Sequence, residues 1–324
     1  MDKFDPALIS VVMPCFNAAP YLEDAVESVL QQSYPDVELI MVDDGSIDGS
    51  AEIIQRLATA HPDRITALYQ SRVGPFAARN HGLARAQGNF IAFLNADDTW
   101  DPEALTQLHA ALTTSQADLA YCGWQDMGLA ATDTRPHIPP DHTEEKGRVA
   151  CFLEDCPWPI HAALIRRQII DDMRGFSERA PTAMDYDLWL RMLARQPKFV
   201  RVPEALAFCR RYPRIGAPIP RWQQTFDAVA VRRDFARNHP GLAAHLPPAL
   251  LHELIYQPLL QEAYRCHWQN DTESARRLFR RAFRRGDWKA GDLKHLLASL
   301  LPSVPYRMLV NFVDNRRSHR NSLQ

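Results

Sequence analysis

The sequence predicts an α/β protein: a mostly parallel sheet with helices on both faces, followed by a C-terminal α-helical region. Three observations carry this. Short apolar runs alternate with helix-spaced apolar patterns over the first two-thirds of the chain, the pattern that builds parallel sheets. Two of those runs, residues 37–42 and 90–94, lead into paired carboxylates, Asp43-Asp44 and Asp97-Asp98. Ligands of such sheets bind at the C-terminal ends of the strands. Beyond a proline-rich stretch at 212–220 only helical patterns remain. The expected division is a first domain over 1–212 and a helical region over 213–324.

The elements follow in order. LISVVM, residues 8–13, is a β-branched apolar run stopped by Pro14 and reads as the first strand. Asn17 is placed to cap the next helix, where Leu22, Ala25, Val26, Val29 and Leu30 form one apolar face. Residues 37–42 give the second strand, 50–60 a helix, 65–69 a strand and 74–87 a helix carrying Arg79 and Asn80. The run NFIAFLNADD, residues 89–98, is a strand buried on both faces that ends in adjacent acids. A helix at 102–114 and a short strand at 119–121 come next, then a long loop over 127–148 containing Pro136, Pro139 and Pro140. Residues 162–172 read as partly helical, 183–195 as a helix, and 199–202 and 206–210 as two short strands. Helices are expected at 222–238, 249–267, 272–285, 293–300 and 306–314.

Composition narrows the class. A hydrophobic share of 46% and a charged share of 23% suit a globular protein, and a net charge of −2 implies no general attraction to nucleic acid. The charge is uneven. Residues 271–324 hold twelve Lys/Arg and five Asp/Glu, a balance of +7 that leaves −9 to the remainder. Such a segment suits anionic lipid, a polyanion or a solvated helix face. Six scattered cysteines without a C-x-x-C pair read as reduced thiols. The opening MDKFDPALIS lacks the apolar core of a signal peptide, and no apolar run reaches membrane-span length. The expected location is the cytoplasm, with peripheral contact at the inner face of the membrane through the basic helices.

Two adjacent carboxylates at a strand end repel each other and call for a positive partner. A divalent cation bridging a diphosphate is one candidate; a polar loop in which Asp98 caps the helix near Pro102 is the other. DDGSIDG, residues 43–49, resembles an EF-hand loop, but Gln55 stands where the bidentate Glu belongs and a strand precedes the loop. The plain alternative is a turn in which Ser50 caps a helix. There is no Walker A sequence, and no G-x-G-x-x-G follows the first strand.

Taken together, these blocks resemble a known family. VVMPCFNAAPYLEDAVESVLQQSYPDVELIMVDDGSIDGS is similar to the opening of the family 2 glycosyltransferases, which have the GT-A fold. GPFAARNHGLARAQGNFIAFLNADD resembles the next block, ending in the DXD-type motif. Gly175-Phe176-Ser177-Glu178 and the run from Met184 to Arg191 resemble two further motifs, and the likeness covers about residues 8–211. It implies an inverting, metal-dependent transferase using a nucleotide-diphosphate sugar, UDP-linked by expectation, and a hydroxyl acceptor in cell-surface polysaccharide or glycolipid synthesis. It implies Asp185 as the catalytic base and Asp98 as the direct ligand of Mn2+ or Mg2+. Pro14, Asn17, Asp43, Asp44, Arg79 and Asp97 fall on the nucleotide-sugar side, with Asp44 at the base. His161, Trp158 and Arg210 are candidates for the acceptor side; His161 is at least as readable as a satisfied core histidine, and Trp158, like Trp100, is equally readable as core. Four departures stand out. Asn95 replaces a frequent Asp, Met184 replaces the Glu before the base, Arg174 replaces the first Gly of a usual Gly-Gly pair, and no His follows Arg210-Arg211-Tyr212. The alternatives are a nucleotidyltransferase on a similar sheet and a non-catalytic scaffold that binds nucleotide-sugar.

Overall fold

A computed structural model describes residues 4–128, 133–142, 147–211, 219–286, 288–306 and 308. The chain forms two compact units, Met1–Ile215 and Gly216–Gln324. Most of the 212–220 boundary, much of the 127–148 loop and most of the expected helix at 306–314 lie outside the described residues.

The first unit is built on one eight-stranded sheet, ordered β3-β2-β1-β4-β7-β6-β8-β5. Its strands are β1 (Asp5–Cys15), β2 (Val37–Asp44), β3 (Ile65–Gln70), β4 (Gly88–Phe93), β5 (Thr99–Trp100), β6 (Leu119–Met127), β7 (Ala163–Arg166) and β8 (Phe199–Arg210). β1 pairs in parallel with β2 and β4, β2 with β3, and β6 with β8; β7 runs antiparallel between β4 and β6. Ile9, Val11, Val12 and Met13 are wholly buried, as a central strand covered on both faces requires. The helices are α1 (Leu22–Leu30), α2 (Ser50–Ala60), α3 (Pro75–Leu83), α4 (Ala104–Thr114), α5 (Arg148–Glu154), α6 (Arg167–Asp172) and α7 (Met184–Leu193). α3 lies close on the sheet because Gly82 has no side chain. A Cβ there would sit 2.5 Å from Val12 Cγ1 and 3.3 Å from Val42 Cγ2. This contact brings Arg79, one turn earlier, toward the C-terminal ends of the strands.

Several elements differ from expectation. Residues 163–166 are a strand, not helix: Ala163, Leu164 and Ile165 are buried on both faces, and helix begins only at Arg167. The two short strands at 199–210 are one, β8, whose register shifts opposite Gly123 let it continue through Pro203. β6 runs six residues further than expected, paired along its length with β8. Asn17 does not cap α1, which starts five residues later. Its backbone is left-handed (φ 50°), and its side chain accepts from Ile47 N–H at 2.9 Å. Ser50 does not cap α2 either; Gly49 is the N-cap, and Ser50 Oγ donates to Asp48 at 2.6 Å.

The second unit is helical: α8 (Arg221–Asn238), α9 (Pro240–Ala243), α10 (Pro248–Trp268), α11 (Thr272–Arg285) and α12 (Leu293–Ala298). Its core gathers Val229, Ile255, Leu259, Leu278, Phe279 and Leu296. α11 has Asp271 as N-cap, accepting from Ser274 N–H at 3.1 Å, and Gly286 (φ 81°) as its left-handed stop.

Candidate active site

Parallel pairing brings the ends of β1, β2, β3 and β4 to one edge of the sheet. Cys15 lies opposite Asp43 in the register, and Asp44 opposite Gln70. The loops after β1 and β2 are laced together. Asn17 N–H donates to Ser46 Oγ (3.0 Å), Ala18 N–H to Ser50 Oγ (2.9 Å) and Ala19 N–H to Asp48 (3.1 Å). Pro14, half-buried, leads into this wall.

The acid pair at the end of β2 is split. Asp44 accepts from Gln70 (2.8 Å), the Val73 N–H (2.9 Å), the Gly74 N–H (2.9 Å) and Arg72. A carboxylate has about four acceptor positions, and protein donors fill them. Burial pushes the Asp44 carboxyl up, but those donors and the Arg72 charge outweigh it and hold it below the usual range. Asp43 accepts from the Ser46 N–H, at 3.3 Å from each oxygen.

After β4 the chain turns through Asn95, Ala96, Asp97 and Asp98. Asp98 is buried and does not cap the next helix. It accepts from the Arg210 N–H (2.9 Å) and the Asn95 amide (2.8 Å), and its Oδ2 lies 3.1 Å from His161 Nδ1. Burial raises the Asp98 carboxyl, and the His161 charge with these hydrogen bonds overcomes that and lowers it. Asp97 is half-buried; its carbonyl accepts from Arg210 Nε at 3.1 Å. His161 and Arg210, expected on the acceptor side, therefore both meet the acid pair. Arg210 reaches on to Asp24 at 3.0 Å.

Asp98, His161 and Cys209 each offer one ligand atom, all within 4.8 Å of one another. His161 is 1% exposed, and neither ring nitrogen has a hydrogen-bond partner; Nδ1 is near Asp98 but not aligned with it. Neutral, a buried imidazole beside a carboxylate fits a divalent cation; protonated, the same ring pairs with Asp98 instead. Burial pushes the Cys209 thiol up to about 12. Sulfur is a soft ligand, and Mn2+ or Mg2+ favour oxygen and nitrogen, so Asp98 and His161 are the better donors of the three. Cys209 is also a residue the sequence did not single out.

Arg79 links the two halves of the site. Its guanidinium, itself buried, donates to Asn95 Oδ1 (2.8 Å) and Met184 Sδ (2.8 Å) and lies 3.2 Å from Asp185 Oδ1. Two of the departures noted in the sequence, Asn95 and Met184, thus meet on one guanidinium. Both put a neutral group where the resemblance expects an acid, and Asp185 is the carboxylate that remains beside it. Asp185 stands in the first turn of α7, about a third exposed. Asp187, two residues further along the helix, is different. It is buried between Arg191 (2.6 Å) and Arg179 (3.4 Å). Arg191 goes on to donate to the carbonyls of Met173 (3.1 Å) and Gly175 (2.9 Å). Gly175 takes φ +69°, and a Cβ there would lie 2.4 Å from Asn80 Oδ1. Asn80 then brackets Phe176, accepting from its N–H and donating to its carbonyl.

Trp158 and Trp100 are core side chains. Trp158 is 1% exposed and stacks on Tyr121 at 4.1 Å. Trp100 Nε1 donates to the His161 carbonyl at 2.7 Å. Neither ring presents a face to a sugar.

This geometry can be set beside known proteins. The profile described as Glycosyl transferase family 2 matches residues 10–174. An uncharacterized glycosyltransferase of Nostoc is 42% identical over 107 residues, a third of each chain. TuaG of Bacillus subtilis, a glycosyltransferase named for teichuronic acid biosynthesis, is 38% identical over 133 residues, 41% of this chain and 52% of that protein. The chain thus spans between a third and about half of the length of these two relatives. EpsJ of Bacillus subtilis, an uncharacterized glycosyltransferase, is 32% identical over 252 residues, 73% of this chain and 71% of that protein. Among solved structures, residues 1–349 of Staphylococcus aureus TarS, bound to UDP-GlcNAc, superpose with a TM-score of 0.63 at 17% identity over 95% of this chain and 92% of that one. The mannosyltransferase PcManGT of Pyrobaculum calidifontis, bound to GDP-Man and Mn2+, gives 0.59 at 19% over 96% and 86%. The sheet, its acidic edge and the profile over half the sequence agree: this chain has a GT-A-like fold and belongs to glycosyl transferase family 2.

Proposed function

We propose that this protein is a metal-dependent, inverting glycosyltransferase. It takes a sugar from a nucleotide-diphosphate donor, UDP-linked by preference, to an acceptor hydroxyl in cell-surface polysaccharide or glycolipid synthesis. The observation that carries the reading is Arg79, whose one guanidinium touches Asn95 in the acidic turn and Asp185 at the start of α7. Donor and acceptor chemistry then lie within one side chain's reach.

Breaking the bond between C1 and a phosphate oxygen puts negative charge on the departing diphosphate. Arg79 is a fixed positive charge in a water-poor setting, where such stabilisation is strongest. Asp98 and His161 would hold a divalent ion, which supplies Lewis-acid stabilisation of the same charge. Asp97, half-buried beside them, faces the diphosphate. Asp185 takes the proton of the acceptor hydroxyl as that oxygen attacks C1. A single base opposite the leaving group gives inversion. The base of the nucleotide belongs to Asp43, since protein donors occupy Asp44. Pro14 and Asn17 shape the neighbouring wall. Donor binding resides in residues 1–212, and the protein works in the cytoplasm at the inner face of the membrane. The nucleotide-sugars named for the TarS and PcManGT structures, UDP-GlcNAc and GDP-Man, support a donor of this class.

The test is a thermal-shift panel of UDP-, GDP- and dTDP-sugars with Mn2+, Mg2+ or EDTA. A ligand at a hundred times its Kd adds about 2.7 kcal/mol to stability, so one nucleotide with metal should stand out. Calorimetry on Asp98→Ala should then show the metal dependence weakened. Equal nucleotide affinity with metal and with EDTA would count against the metal assignment.

A further inference from the structure

The basic run of α11 invites a lipid reading, yet its arginines are largely engaged within the second unit. Arg277 lies over Trp222 (4.4 Å), Arg281 over Phe226 (5.7 Å) and Arg285 over Tyr256 (5.0 Å). These long side chains cover rings on α8 and α10. The unusual surface is on α12. Its inward side is ordinary: Leu296 is fully buried, and the His295 ring packs on Phe279 at 5.4 Å. Its outward side is leucine. Leu293 and Leu297 on α12, and Leu300 and Leu301 where the chain turns after it, are 37–50% exposed, and Val304 in the short helical stretch that follows is 50% exposed. Lys294 stands exposed beside them. Arg280 reaches the Leu300 carbonyl at 3.0 Å and Arg276 the Leu301 carbonyl at 3.4 Å, which sets two guanidinium groups at the edge of the stripe.

Solvent-facing helix surfaces are normally polar, and contiguous apolar patches mark interaction sites. Charge indicates the partner. Gly216–Gln324 contains seventeen Lys/Arg and nine Asp/Glu, a net of +8, which leaves −10 to Met1–Ile215. An apolar stripe rimmed by cations, on a basic unit, matches a surface that is apolar in depth and anionic at its face. No described helix is long and apolar enough to cross a membrane. We propose that the outward face of α12 and the segment after it, Leu293, Leu297, Leu300, Leu301 and Val304 with Lys294 and Arg280 at the rim, docks onto an anionic phospholipid bilayer and lies in its interface.

This goes beyond the transfer reaction and does not depend on it. The experiment is co-sedimentation of the full chain with phosphatidylglycerol-containing vesicles and with pure phosphatidylcholine vesicles, at low and high salt. Binding should favour the anionic vesicles and weaken with salt. A Lys294→Gln, Arg280→Gln pair should lower affinity about 25-fold, at roughly fivefold per charge near the surface. Leu297→Ser with Leu300→Ser should cost at least about tenfold, since half-exposed leucines give up burial in lipid and only part of their packing in the fold. Arg56→Gln, on the exposed ion pair with Glu23 in the first unit, serves as the charge control and should change nothing. Circular dichroism checks that each variant is folded. Equal binding to both lipids, or folded leucine variants that bind normally, overturns the proposal. So does a concentration-dependent oligomer that the leucine substitutions abolish in a chain that ignores vesicles.

Discussion

Asp185 and Asp187 stand two residues apart on α7, and opposite consequences are expected from the same substitution. Asp187→Asn removes the charge from a carboxylate that is 5% exposed and held by Arg191 at 2.6 Å and Arg179 at 3.4 Å. Breaking a buried pair by removing one partner costs about 3–5 kcal/mol. Here Arg191 keeps the carbonyls of Met173 and Gly175, and Arg179 is more than half exposed, so about 2–3 kcal/mol is the better figure. For a unit of this size each kcal/mol moves Tm by about 2–4 °C, giving a fall of about 4–12 °C. Asp185→Asn instead leaves a third-exposed position and an oxygen that Arg79 can still use, so about 1 kcal/mol or less is expected. Its effect should fall on the chemistry. Losing a general base typically costs about 10²–10⁴ in rate, while nucleotide affinity stays within a few fold. The assay is thermal unfolding and nucleotide titration beside single-turnover transfer, using the donor that the thermal-shift panel selects and a glycan acceptor. Near-normal transfer by Asp185→Asn would refute the base assignment. A fully stable Asp187→Asn that has lost transfer would show that the two acids had been given each other's roles.

Two further outcomes follow from the packing. His142 sits buried among Tyr121, Phe152 and Trp158, and burial lowers its imidazole from 6.5 to about 4. The unfolded chain therefore binds the proton more readily, so stability should fall as pH drops from 6.5 toward 4. His142→Phe should flatten that part of the profile in urea melts at stepped pH; an unchanged slope would place the acid sensitivity elsewhere. A chain ending at Ile215 should keep nucleotide affinity, measured by calorimetry, because the candidate donor residues all lie in Met1–Ile215. A cut inside the second unit would instead remove α11, which brings Leu278 and Phe279 to that unit's core.

The sequence made most of the fold legible where period and punctuation agree. β1, β2 and β4 are apolar runs with clear stops, and α2 spans Ser50–Ala60 as its pattern indicates. It misled where short apolar stretches carry no period. Ala163–Arg166 is four residues long, too short for alternation to separate strand from helix. β8 looked like two strands because Pro203 interrupts it, and the bulge that accommodates the proline depends on Gly123 in a distant strand.

The acids show the same limit at the level of chemistry. Their positions at strand and helix ends could be read from sequence, but the division of labour between neighbours could not. Asp43 and Asp44 are adjacent, yet only Asp44 meets Gln70, Val73 and Gly74, because the chain beyond β3 folds back over it. Asp185 and Asp187 share one helix turn, yet Asp187 is taken up by Arg191 and Arg179 while Asp185 is left beside Arg79. Asp44 has its acceptor positions filled by protein donors, whereas Asp187 is held by one arginine on each oxygen. Asp185 has a single arginine beside it at a third-exposed position, and that difference in pairing and exposure is what separates it from Asp187. Arg79 ties Asp185 to Asn95, so a change at Asn95 should also be felt at Asp185. Asn95→Asp would put a second carboxylate on the guanidinium and draw it away from Asp185, a coupling visible only once the three side chains are seen on one another.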